Sequence, residues 1–288
     1  MRTVLSIGVD AFAYGMVLFV ICIGLSLTMG LMRVVNLAHG AFAMIGGYIA
    51  SYVAKDLGAG YAAGVLAAVL GTVALSVPLE RLIYRRIYAS PQLTQVLMTI
   101  GVAFVVIGVT NFVFGPTLKP IPLDPALSGP VDIGFRAIPA HRLMVMAVGL
   151  AVAAGLWVLI ERTAFGVRLR AAVENAAMTA ALGVRTDVVY AVSFALATGL
   201  AALGGVIGAE FLPIEPYYAL RYMVTFLVVV SVGGAGSIPG ALAACLLLGL
   251  VDTTGRYLMP DFGNFFFYLA VIVIVVAFPR GLMGRAQK

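Results

Sequence analysis

Long apolar runs, broken by short polar punctuation, dominate the chain. Val145–Ile160 is one such run, without the polar–apolar alternation over about ten residues that a membrane β-strand needs. Crossing a hydrocarbon core of ~30 Å takes about 20 mostly apolar residues in a helix. On that measure the pattern predicts spans near residues 8–30, 37–54, 62–80, 94–114, 142–160, 188–209, 219–233, 240–257 and 263–279. The 219–233 stretch is short and ends in glycines, and 8–30 carries Gly24, Ser26, Thr28 and Gly30 near its close. Both read as broken or partly re-entrant helices. The expected fold class is all-α, a polytopic membrane helical bundle of about 8–10 spans.

Composition agrees. Hydrophobic residues make up 62% of the 288 and charged ones 10%, against about 25% charged in soluble domains, so lipid must cover much of the surface. The 33 glycines suit close backbone approach between membrane helices. Cys22 and Cys245 lie inside apolar runs and read as small hydrophobes, not as a disulfide framework. Arg2 is a weak n-region and no small-residue cleavage site stands out, so the first apolar run is expected to stay as a helix.

The net charge of +6 needs no nucleic acid, because the basic residues cluster in short loops. Arg81, Arg85 and Arg86 follow the third span, Arg162, Arg168, Arg170 and Arg185 lie between the fifth and sixth, and Arg280, Arg285 and Lys288 form the tail. Nine spans put all three clusters on one face, which basic short loops mark as cytoplasmic. The N-terminus is then expected outside, the C-terminus inside. Two connections are long. The outer one, 115–141, holds Pro116, Pro120, Pro122, Pro125, Pro130 and Pro139, too many for a long helix. The inner one, 161–187, is Ala-rich, and Val167 to Leu182 is expected to form one helix. Val173, Ala177 and Ala181 recur at four-residue spacing as a small face, and Gly183 suits its C-terminal stop. Such a helix outside the membrane either docks a soluble partner or braces the bundle.

No nucleophile, acid–base pair or metal cluster stands at convincing spacing, so no catalytic residue, metal or cofactor is expected. His39 and His141 lack a Cys or carboxylate at ligand spacing, and no GxxxxGK[ST] loop is present to bind ATP. The most informative polar group is Arg33, Asn36, His39 and Gly40 at the start of the second span. An i,i+3 spacing puts Asn36 and His39 on one helical face, as part of a conduit or gate, or alternatively as a cap plus an interfacial histidine. The turn Gly233, Gly234, Gly236 and Ser237 offers N–H groups that can cradle a carboxylate, or else packs tightly between two helices. Glu210, Glu215, Tyr217 and Tyr218 near the outer face are weaker candidates for substrate or delivery-protein contact, and Gln95, Thr99, Ser193 and Thr198 either line a cavity or join helices.

Three stretches together resemble a known family: VNLAHGAFAMIGGY from Val35, the Ala-rich inner loop, and GGAGSIPGA from Gly233. With Glu80–Arg81, Glu161–Arg162 and FPRG from Phe278, the chain is similar over nearly its whole length to the LivH-type permeases of branched-chain amino acid ABC importers. The resemblance implies a single permease domain, 1–288, in the inner membrane, pairing with a LivM-like permease. Two cytoplasmic ATPase subunits would drive it, and a periplasmic binding protein would deliver a small amino acid. It also implies that AVENAAMTAALGV from Ala172 is an EAA-like coupling loop, with Glu174, Asn175, Ala177, Ala181 and Gly183 at the matching positions. Related permeases also resemble transporters of urea and short amides, and the residues alone leave open a stand-alone secondary transporter or channel.

Overall fold

The computed structural model describes residues 2–134, 136–278 and 281–283. Pro279 and Arg280 of the tail motif, with Arg285 and Lys288, lie outside the described residues. The chain folds into α1 (Arg2–Ser26), α2 (His39–Ser51), α3 (Tyr61–Leu79) with a short continuation α4 (Arg85–Ile87), and α5 (Gln92–Phe114). A short α6 (Pro125–Ser128) and a hairpin of β1 (Pro130–Asp132) and β2 (Ala137–Pro139) follow, paired through Val131 and Ile138. Then come α7 (Ala140–Arg162), α8 (Ala164–Glu174), α9 (Ala176–Ala181), α10 (Thr186–Ile207), α11 (Tyr218–Gly233), α12 (Ile238–Leu258) and α13 (Gly263–Ala277). Wide π-turns extend α1 through Leu31 and α2 through Asp56, and another joins α3 to α4. The protein is an all-α polytopic membrane bundle.

Among the described residues six helices are long and apolar enough to cross a membrane: those within Thr3–Leu31, Tyr61–Ile87, Gln92–Phe114, Ala140–Arg162, Thr186–Ile207 and Ile238–Leu258. The other three expected spans are the shorter α2, α11 and α13. Burial separates the long helices into two kinds. The apolar window of α1 is 89% buried, whereas those of α3, α5 and α7 are only 22–28% buried. A helix that is apolar all round belongs either in a core or in lipid. Here α1 is the core, and the peripheral helices turn Leu66, Phe104, Phe112 and Leu150 outward to lipid.

Glycines bring the inner helices together. Gly15 of α1 lies against the Cys245 carbonyl of α12, and Gly249 of α12 lies against Ala11 and Gly15, so any side chain there would push the two backbones apart. Gly205 of α10 meets the Ala43 carbonyl of α2 in the same way. Cys22 and Cys245 are buried free thiols.

Contacts fix the direction of the helices. Asp10 near the start of α1 meets Arg142 at the start of α7 and Tyr257 at the end of α12. Gly30, past the end of α1, abuts Gly236 at the start of α12, and Gly281 after α13 abuts Gly234. One end of the bundle therefore carries Arg33, Arg162 and the α8–α9 segment, and the other carries Asp10, Arg142 and the Pro-rich connection.

Candidate functional site

At the basic end the chain does not run straight from α1 into α2. Residues 32–38 dip back into the bundle, with Val34, Asn36 and Ala38 essentially unexposed. A non-helical backbone at that depth must find other partners. Val35 N–H donates to Gln95 Oε1 at 2.9 Å, and Leu37 N–H donates to Thr99 Oγ1 at 3.2 Å. Gln95 and Thr99 thus join α5 to this segment. Asn36 Oδ1 accepts from Ala38 N–H at 3.1 Å and from Tyr84 O–H at 3.0 Å. Helix α2 starts only at His39. The expectation that Asn36 and His39 share a helical face is therefore corrected: Asn36 sits in the preceding turn, where its side chain competes for the backbone. His39 Nε2 lies 2.8 Å from the Ile21 carbonyl, and Gly40 packs against the Ala219 backbone at 3.2 Å. All three residues are buried and act here as joints between helices. Asn36 Nδ2 and His39 Nδ1 are left without a partner.

The glycine turn is a second joint. Gly234 and Gly236 have φ of +86° and +84°, the left-handed region that glycine enters without cost. Gly236 N–H donates to Ser26 Oγ at 3.0 Å, Gly234 N–H to the Val230 carbonyl at 3.0 Å, and Ser237 N–H to the Gly234 carbonyl at 3.2 Å. Ser237 caps α12 by accepting from Gly240 N–H, with Pro239 in the first turn. The Gly234, Gly236 and Ser237 N–H groups are engaged within the protein, which favours the packed-turn alternative. Gly233 sits against Ala241, while Gly234, Gly236 and Ser237 line a cavity of ≈ 820 Å³ with Arg33, Glu161 and Arg162. Arg33 has φ 55°, the left-handed region that is uncommon outside glycine.

The inner connection also departs from expectation. It forms two helices, not one over 167–182. Asn175 breaks the run with φ −152° and caps α9 by accepting from Met178 N–H at 2.9 Å. Val173 lies on α8 and Ala177 and Ala181 on α9, so the four-residue stripe is interrupted. Helix α8 is anchored: Arg170 donates to the Ile160 carbonyl at 2.7 Å, Tyr190 O–H donates to the Ala172 carbonyl at 2.9 Å, and Leu169 and Ala172 are buried. Beyond Glu174 the chain turns outward. Ala177, Ala181 and Gly183 are exposed, as are Met178 and Leu182 at 61% and 78%. Gly183, with φ +85°, ends the knuckle.

At the opposite end, partners distant in sequence meet. His141 Nδ1 lies 3.0 Å from Glu210 Oε2 and its Nε2 lies 3.5 Å from Tyr61 O–H. The hydrogen bond from His141 holds the Glu210 carboxyl below its ordinary range. Asp10 gathers Arg136 at 3.0 Å, Tyr257 at 3.1 Å, and Arg142. Asp10 passed unnoticed in the sequence, although a carboxylate inside an apolar helix is the one signal that marks it.

The chain matches the family described as branched-chain amino acid transport system / permease component over residues 8–276. It is 26% identical to the high-affinity branched-chain amino acid transport system permease protein LivH of Escherichia coli K12, covering 93% of this chain and 91% of that protein. Against the corresponding permease protein BraD of Pseudomonas aeruginosa it is 27% identical, covering 97% and 95%. A partial likeness, 31% over 56% of this chain and 47% of the relative, is to the autoinducer 2 import system permease protein LsrC of Salmonella paratyphi B. No solved structure gives a significant match. With the family profile spanning almost the whole bundle, the chain belongs to the branched-chain amino acid transport permeases.

Proposed function

We propose that this chain is one permease subunit of an ATP-driven importer that carries branched-chain or related small amino acids across the inner membrane. The basic end faces the cytoplasm, in keeping with the loop charges. The observation that carries the reading is the α8–α9 knuckle: a rigidly anchored helix that presents a short, small-residue, apolar tip to solvent. An exposed apolar tip on a stiff stalk suits a groove on another protein. Ala177, Met178, Ala181 and Leu182 give the tip its apolar surface, Glu174, Asn175 and Gly183 bound it, and Val173 lies at its root. A second permease, two ATPase subunits and a periplasmic binding protein complete the assembly, with ATP hydrolysis on the partners.

Asn36, His39 and Gly40 are assigned to the gate. They hold the re-entrant segment against α1 and α11 in a closed arrangement, and their orphaned polar atoms give an open arrangement something to satisfy. Ala177→Glu tests the coupling role, because it puts a charge into a small apolar contact. ATP-driven uptake should fall by ~10-fold or more and ATPase co-purification should be lost, while membrane insertion stays normal. Normal assembly and transport in that variant would remove the coupling assignment. The LsrC likeness favours a second reading in which the same scaffold imports another small polar solute, and uptake assays with amino acids, amides and urea separate the two.

A further inference from the structure

Helix α7 is 23 residues long, ~35 Å at 1.5 Å per residue, enough to cross a hydrocarbon core of ~30 Å. Its apolar window is only 22% buried, so most of its surface faces lipid. The helix ends at Arg162, and Trp157, the one tryptophan of the chain, stands ~8 Å before that end along the axis. Such a depth is the boundary between headgroups and acyl chains, where amphipathic aromatic rings collect. Trp157 is 44% exposed, and the Arg162 guanidinium lies over its ring, 4.9 Å from the centroid.

This ring borders the ≈ 820 Å³ cavity of the basic end, which lies between the end of α1, the last turns of α7 and the start of α12. Trp157, Ile160 and Ile238 give it an apolar wall, and Arg33 and Arg162 give it two positive charges. Among the described residues neither guanidinium has a carboxylate partner. The carboxylate that also lines the cavity, Glu161, is held by Arg170 at 3.4 Å. Arg33 is exposed and stands at φ 55°. Glycine would relieve that strain at a helix end but would remove the charge.

We infer that this cavity binds the phosphate of an anionic phospholipid from the adjacent leaflet. Arg33 and Arg162 take the phosphate oxygens, and the Trp157 wall takes the start of an acyl chain. Guanidinium forks match phosphate oxygens in paired hydrogen bonds, and basic pockets between membrane helices on the cytoplasmic side suit such headgroups. A free phosphate offers the same oxygens but nothing for the apolar wall, so the lipid is the better fit. The leaflet follows from the orientation proposed above, whereas the binding does not depend on transport. Ile160 lines the cavity, and its carbonyl accepts from Arg170 of α8 at 2.7 Å. A headgroup seated there therefore braces the base of the stalk that carries the α9 tip.

The test uses the full-length chain in phosphatidylcholine vesicles, because its tryptophan fluorescence reports on Trp157 alone. Phosphatidylglycerol brominated on its acyl chains is titrated in, each reading taken against the same lipid without bromine. Half-quenching should come at a mole fraction ~5-fold lower than with brominated phosphatidylcholine, at least the factor for one basic side chain near an anionic surface. Arg162→Gln and Arg33→Gly should each raise that mole fraction by about the same factor. Arg33→Gly should do so without lowering Tm, since glycine accepts the left-handed backbone. Equal quenching by the two lipids, or unchanged half-quenching in both variants, would overturn the inference. Millimolar inorganic phosphate should leave the quenching in place; relief by phosphate would give the arginines to a free anion and overturn the lipid assignment.

Discussion

Asp10 illustrates what a single residue does here. Its side chain is 10% exposed and is shared among two arginines and a tyrosine from α7, α12 and the hairpin connection. Removing its charge leaves Arg136 and Arg142 half-buried without their counter-ion, so Asp10→Ala should destabilise the fold by about 3 kcal/mol. The check is a lowered Tm of the detergent-solubilised protein. An unchanged Tm would show that the cluster contributes only surface electrostatics. Glu210 makes a pH prediction. Because its folded pKa is depressed by the hydrogen bond from His141, its contribution is present above the ordinary carboxylate pKa and is lost as pH falls through the depressed value. Glu210→Gln should flatten the acid limb of a Tm-versus-pH curve, and an unaltered acid limb would count against that linkage. Gly30→Val should block assembly of the bundle, since a side chain there runs into the Gly236 backbone, and it is read as loss of folded protein in the membrane. Neither the Asp10 cluster nor the His141–Glu210 pair is legible in the sequence, because the partners stand 69 to 247 residues apart and periodicity carries no information about such meetings.

At the scale of elements, most boundaries were readable because lipid imposes one rule. The expected 62–80, 94–114 and 142–160 spans emerge as Tyr61–Leu79, Gln92–Phe114 and Ala140–Arg162, and the short 219–233 stretch is the short α11. What misled was polar detail inside favourable composition. Ala-rich propensity over 167–182 argues for one helix, yet Asn175 satisfies Met178 N–H with its own side chain and ends α8. Likewise Asn36 reads as helical by spacing but bonds to Ala38 N–H from a turn. If the break shapes the docking tip, Asn175→Ala should let α8 and α9 merge. Hydrogen exchange should then slow at residues 175–178, and uptake should drop several-fold, about the factor expected when a contact is misplaced. Faster exchange at those positions, with normal uptake, would mean that the break has no role.

For the whole molecule, the arrangement is a buried α1 encircled by helices whose outward faces meet lipid, with different chemistry at the two ends. One end holds the charge pairs of Asp10 and His141, and the other holds basic loops and the α9 tip. Importer function requires that the second end face the cytoplasm and be held by an energy-supplying subunit. The most direct measurement places a cysteine at Met178, 61% exposed at the tip, against a background of two buried native thiols. In intact cells a membrane-impermeant thiol reagent should leave residue 178 unmodified. After permeabilisation it should react, and a short cross-linker should join it to the ATPase subunit. Labelling of residue 178 from outside intact cells, or full uptake by this polypeptide without any ATPase, would contradict the account.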